Sequence, residues 1–133
     1  MPAKDIYHET VRMALIKAGW KITHDPLALK VGQRDLYIDM GAEKQAERTI
    51  AVEIKSFLNP SPVKDLENAL GQYLLYQTHL KRIAPKRDLY LAITSTTMRG
   101  IFTEEIGLVL IEREIVKLIV FDEVKEVIER WIP

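Results

Sequence analysis

The stretch Ile50-Ala51-Val52-Glu53-Ile54-Lys55-Ser56-Phe57 constrains this chain more than any other. Its Ile and Val content suits a strand inside a sheet, yet it carries a carboxylate and an ammonium two residues apart. Side chains alternate across a strand, so Ile50, Val52 and Ile54 share one face, while Ala51, Glu53, Lys55 and Phe57 share the other. Two opposite charges therefore project side by side from an element that should be mostly buried. Groups in such places are paired, bind a metal, or do chemistry. The bland alternative is a solvent-facing pair on an edge strand.

The neighbouring segments set the surroundings of that strand. Lys4 to Ala18 reads as a helix with an apolar stripe of Tyr7, Val11, Ala14, Leu15 and Ala18, stopped by Gly19. Glu9 lies off the stripe, beside Ile6, Met13 and Ile16; it either looks inward at its own edge of the sheet or marks the boundary with solvent. Trp20 to Thr23 and Leu27 to Val31 read as short strands around a His24-Asp25-Pro26 turn. Asp35 to Met40 alternates cleanly, with Leu36, Ile38 and Met40 on one face and Asp35, Tyr37 and Asp39 on the other. Gly41 to Arg48 reads as a polar connection. If the strands on either side pair as a hairpin, Asp35 or Asp39 approaches Glu53.

Beyond the opening strand, Ser61 is a good N-cap and Pro62 suits a first helical position, which predicts a helix to about Lys81. Gln72 and Tyr76 lie one turn apart beside its apolar side and so point toward a common cleft. Leu89 to Thr94 is a buried-type strand. A helix capped by Thr103 is expected through Glu114, then a strand from Ile115 to Phe121. Asp122 is expected to cap a final short helix through Val127, Ile128 and Trp131. This order, a strand meander followed by alternation with helices, implies an α/β (α+β) fold: one domain, residues 1–133, with a mixed central sheet flanked by helices.

Composition narrows the classes of function. A chain of 133 residues suits one domain, and the absence of Cys excludes disulfides, thiolate metal sites and cysteine nucleophiles. No apolar run reaches membrane-spanning length, and Met1-Pro2-Ala3-Lys4-Asp5 lacks a signal-peptide core, so a soluble cytoplasmic protein is expected. Lys plus Arg equals Asp plus Glu at 19 each, which argues against coating nucleic acid through bulk charge. His8, His24 and His79 show no zinc-ligand spacing, and there is no Gly-rich phosphate loop. The densest basic run is His79, Lys81, Arg82, Lys86 and Arg87; it is either a solvated helix end or a contact for the DNA backbone.

Asp35 followed by Glu53-Ile54-Lys55 on the next strand resembles the PD-(D/E)XK nuclease superfamily, and the element order resembles its restriction-endonuclease-like core. The resemblance implies that Asp35, Glu53 and Glu9 hold Mg²⁺ or Mn²⁺ and that Lys55 positions or activates the attacking water. Gln72 and Tyr76 match the Gln-x-x-x-Tyr helix motif of one branch of the superfamily, while Arg34 stands where the family name carries proline. Asp39 rivals Asp35 on the same face; the strand-start position of Asp35 after Gly32-Gln33-Arg34 favours Asp35.

Over a longer span, His24-Asp25-Pro26-Leu27, Asp35 to Glu43, Ile50 to Phe57 and Ala69-Leu70-Gly71-Gln72-Tyr73 resemble the XisH family. Its members are named as controlling factors for excision of the fdxN DNA element in cyanobacteria and act with a small partner, XisI. This resemblance implies a role in programmed DNA rearrangement. It implies either a metal-dependent nuclease acting on DNA or a non-catalytic accessory factor that binds XisI or a recombinase. A blander reading is a homodimer joined through surfaces such as the Trp131-Ile132 end.

Overall fold

The computed structural model describes residues 3–45 and 47–133; Met1 and Pro2, on which part of the N-terminal reading rests, lie outside it, as does Ala46. The chain runs α1 (His8–Lys17), β1 (Lys21–His24), β2 (Leu27–Val31), β3 (Arg34–Ile38), β4 (Met40–Lys44), β5 (Arg48–Ile54), α2 (Pro62–Ile83) and β6 (Arg87–Thr94). It continues with α3 (Ser95–Arg99), a 3-10 turn (Ile101–Thr103), α4 (Glu105–Glu112), β7 (Leu118–Asp122) and β8 (Val127–Ile132). Six strands form one sheet in the order β1-β4-β5-β6-β7-β8, and β2-β3 form a separate pair. The pairings β5/β6 and β6/β7 are parallel and the others antiparallel, so the mixed sheet flanked by helices is as expected.

Alternation along β5 divides the core in two. Ile50, Val52 and Ile54 pack with Val11 and Leu15 of α1, while Ala51 faces Leu66, Ala69 and Tyr73 of α2. Glu53 follows Ala51 onto the α2 face. Gly19 ends α1 at φ +93°, a conformation that costs glycine little. Ser61 caps α2 by accepting from the Lys64 N–H at 3.2 Å, ahead of Pro62.

Four expectations fail for identifiable reasons. Asp35 to Met40 is not one strand. The chain breaks at Asp39, so Leu36 and Ile38 pack on the α2 side while Met40 and Ala42 pack on the α1 side. The supposed polar connection after Gly41 is largely β4, with Met40, Gly41 and Ala42 fully covered. Gly41 lets side chains close over β4: a Cβ there would stand 2.9 Å from Arg87 Nη1 and 3.2 Å from His24 Nδ1, so both would have to shift. The final helix is instead β8. Asp122 accepts from the Val124 and Lys125 N–H groups, but this closes a turn that Glu126 ends at φ +57°. Thr103 does not cap α4 either, since its hydroxyl donates back to the carbonyls of Arg99 and Gly100. Trp131 is packed within the chain, its ring 5.5 Å from Trp20 and 5.0 Å from Tyr90, and Ile132 is buried.

Candidate functional site

The break at Asp39 is where the site forms. Crossing from the small sheet to the large one leaves the Asp39 N–H and carboxylate beside β5 rather than in a ladder. The Asp39 N–H donates to Glu53 Oε1 at 3.2 Å, and the Ile54 N–H donates to Asp39 Oδ2 at 2.7 Å. The Glu53 carboxyl is thus held by the Asp39 N–H, and the Asp39 carboxyl by the N–H of the residue after Glu53. Lys55 Nζ lies 3.7 Å from Glu53 Oε2. A cleft of about 240 Å³ opens over them, lined by Asp5, Tyr37, Asp39, Glu53, Lys55, Gln72 and Tyr76 among others.

The electrostatics of this cleft are strained. Burial pushes Glu53 up to about 8, and the neighbouring Asp39 carboxylate adds to the rise while Lys55 opposes it. Burial raises Asp39 as well, against the stabilising Ile54 N–H. Tyr76 is pushed up to about 12 by burial and by the two acids it faces, so it stays a neutral hydroxyl. The amide oxygen of Gln72 is buried without a hydrogen-bond partner.

Each expected site residue has a definite place. Glu53, Lys55, Gln72 and Tyr76 line the cleft together. Asp35 does not join them: β3 pairs with β2, leaving Asp35 exposed opposite Lys30, four residues and roughly 13 Å of strand from Asp39. Glu9 points to solvent beside Arg12, at 3.8 Å, because Ile6 and Ile16 on its side of α1 are themselves exposed. Lys81, Arg82 and Lys86 are exposed near the opposite end of the sheet, where Arg87 aligns with Thr49 at the start of β5. Arg87 is half-buried, and its Nη1 donates to the Ile50 carbonyl at 2.7 Å.

Asp5 and the His8-Asp25 pair carry no mark in the sequence pattern beyond being polar. Asp5 lines the cleft while its two oxygens accept from the Tyr7 and Ser56 N–H groups, tying the start of α1 to the end of the β5 segment. The signal available for it was an acidic residue just ahead of a helix. Buried His8 places Nε2 2.7 Å from Asp25 Oδ1, and its Nδ1 has no partner.

As a donor set, Asp39 and Glu53 offer two carboxylates with a nearby amide oxygen. Among the described residues no group of three or more His, Cys, Asp or Glu side chains gathers to cage a metal. Two carboxylates in a roomy, open cleft suit a small hard cation that keeps several waters and completes its shell with substrate oxygens. They do not suit a closed zinc site. Among the described residues no helix is long and apolar enough to cross a membrane.

Comparison with known proteins agrees with this whole-chain architecture. A crystal structure of an XisH family protein from Nostoc punctiforme PCC 73102 superposes with a TM-score of 0.90 at 41% identity, covering 97% of this chain and 100% of that one. That of a fdxN element excision controlling factor protein from Anabaena variabilis gives the same TM-score and identity over 98% and 100%. A protein of unknown function from Silicibacter pomeroyi, 15% identical with a TM-score of 0.52 over 100% of this chain and 73% of that one, shares the fold alone. No functionally curated protein matches the chain. The family model described as XisH protein matches residues 1–129. With that match and relatives 41% identical over their whole lengths, the chain belongs to the XisH family.

Proposed function

We propose that the chain is a metal-dependent DNA nuclease of the PD-(D/E)XK kind, acting in element excision as the name of the Anabaena variabilis relative suggests. The observation that carries this reading is the Asp39-Glu53 pair: two carboxyls pushed upward by burial, Glu53 further by the Asp39 charge, in an open cleft with one ammonium 3.7 Å from Glu53. Asp39 takes the role that the motif would give to Asp35. Mg²⁺ or Mn²⁺ bound by Asp39 and Glu53 would polarise a scissile phosphate and lower the pKa of a bound water. Lys55 stabilises the charge that builds on the phosphoryl oxygens. Gln72 and Tyr76 close the cleft from α2, and the neutral Tyr76 hydroxyl donates toward phosphate or water.

The test is nicking of supercoiled plasmid with Mn²⁺ or Mg²⁺ and with chelator. Wild type should nick only with metal. Lys55→Met should lose roughly 10²–10³ in rate, the scale of removing one charge-stabilising donor. Metal-independent nicking, or full activity in both Asp39→Asn and Lys55→Met, would sink the proposal.

A second reading is a non-catalytic factor docking XisI or a recombinase. The formal net charge of zero favours it, since an enzyme that grips DNA gains from excess cations. Capture of XisI that persists in Asp39→Asn, from a protein that nicks nothing, would support it.

A further inference from the structure

Four non-glycine residues hold a positive φ among the described residues: Gln45, Phe57, Glu114 and Glu126. Gln45, Glu114 and Glu126 are polar and lie in turns. Phe57 is different, a large aromatic residue at φ +53°, just past β5 and two positions after Lys55. The left-handed region is an outlier for a bulky side chain and persists only where the surrounding structure imposes it. Glycine would turn the chain there without that cost. What glycine would lack is the ring.

That ring is half-buried against the core on the α2 side of the sheet, edge-on to Phe102 with centroids 6.1 Å apart. Upstream of it, three successive amides are fixed by three different segments. The Ile54 N–H donates to Asp39 Oδ2, the Lys55 N–H to the Ala92 carbonyl at 3.1 Å, and the Ser56 N–H to Asp5 Oδ2 at 3.1 Å. Phe57 follows and turns the chain away. Glu53, Lys55 and Phe57 thus succeed one another at steps of roughly 7 Å along the α2 side. The Lys55 amine goes to the Glu53 end of this row, 3.7 Å from Oε2. Among the described residues no cation–π contact joins it to the Phe57 ring.

We propose that Phe57 is a positioning residue for Lys55. The ring seated on Phe102 and the left-handed turn together close the far end of the row, so the ammonium rests beside Glu53 instead of swinging outward. The catalytic part of this role rests on the nuclease reading, in which the amine meets charge building on phosphoryl oxygens. The placement of the amine does not depend on it.

The experiment reads that amine directly. Lysines are acetylated with limiting N-hydroxysuccinimidyl acetate at pH 9 and followed by mass spectrometry, with exposed Lys30 as internal reference. Glu53 sits near 8 and is mostly ionised at that pH. Glu53→Gln sets the rate for Lys55 without its carboxylate. Wild-type Lys55 should react roughly tenfold more slowly, the effect of about one pKa unit on an amine. Phe57→Gly keeps the turn and loses the ring; Phe57→Val keeps apolar bulk but resists the turn, since a β-branched residue tolerates positive φ least. Both should move to the Glu53→Gln rate, and Phe57→Leu should stay near wild type. In Mn²⁺-dependent nicking, the Gly and Val variants should lose roughly 10–10² in kcat with KM unchanged, and the Leu variant should recover most of it. Every rate is taken well below the variant's own melting midpoint, and should Phe57→Gly not fold, Phe57→Val carries the test. A ring with a merely structural role would lower that midpoint and leave both readouts unmoved. Wild-type labelling in the folded Gly or Val variant, or equal Lys55 labelling in wild type and Glu53→Gln, overturns the proposal. Responsive labelling without wild-type nicking removes the nuclease and leaves the placement. Nicking with unresponsive labelling removes the placement alone.

Discussion

The two ends of the main sheet handle polar groups in opposite ways. Where β5 and β6 begin, Arg48 lies 5.6 and 5.5 Å from the Trp20 and Trp131 rings and donates to the Tyr90 hydroxyl at 2.9 Å. Nearby, Arg87 caps the Ile50 carbonyl, and the Tyr73 hydroxyl donates to Leu89 O and accepts from Lys117 N, each at 3.0 Å. Where β5 finishes, burial raises both Glu53 and Asp39 and the Asp39 charge raises Glu53 further, and Gln72 Oε1 and His8 Nδ1 lack partners. An unsatisfied buried polar group costs about 1–3 kcal/mol. Both ends belong to the same strands, so the contrast lies in their partners: one end is closed by hydrogen bonds and ring contacts, and the other holds buried acids under strain in a cleft.

The largest expected effect tests the strained end directly. Glu53→Gln keeps an oxygen to accept the Asp39 N–H and removes the charge that Asp39 opposes. Metal-dependent nicking should fall by more than about a hundredfold, while the melting temperature at pH 8 should rise. A variant that loses activity and also melts lower at pH 8 would break the comparison, because Glu53 would then be an ordinary stabilising group.

Titration sharpens the same point. The folded Glu53 carboxyl sits near 8 instead of 4.5, so between those values the folded protein keeps a proton that the unfolded chain has lost. Stability contributed by this group is therefore intact below about pH 4.5 and declines as pH rises toward 8, by on the order of a few kcal/mol. Asp39 shifts in the same direction. Melting scans should show wild type weakening across that window and Glu53→Gln responding less. Added Mg²⁺ should restore wild type strongly at pH 8 and hardly at pH 5. A wild-type profile parallel to the variant's would remove the strain from this end of the sheet.

How much of this was legible follows from what local pattern can encode. The alternation of β5 put Glu53 and Lys55 on one face, and the Ser61-Pro62 start of α2 brought Gln72 and Tyr76 to the same cleft. The choice between Asp35 and Asp39 was not legible. Alternation places both on one face, and only the departure of β3 to pair with β2 sends Asp35 away. Glu9 misled because helical periodicity marks a side of α1 without saying which side meets the sheet. β8 was missed because Val127, Ile128 and Trp131 also fit a helical spacing, and its partner β7 decides between the two. Long-range pairing supplied what short windows could not.

The smallest effect tests the satisfied end. Arg48 is exposed at its surface, so each ring contact is worth about 0.5–1 kcal/mol and its bond to Tyr90 about 1. Arg48→Ala should therefore lower stability by about 1–2 kcal/mol, by the same amount at pH 5 and pH 8. Nicking should stay at the wild-type rate. The tilted Trp20-Trp131 pair and the edge-on Tyr90 remain in contact without Arg48, which limits the loss. Near-ultraviolet circular dichroism should report loosened tryptophans. A fall in nicking would mean that the two ends are mechanically coupled through β5, and the division of labour between them would have to be given up.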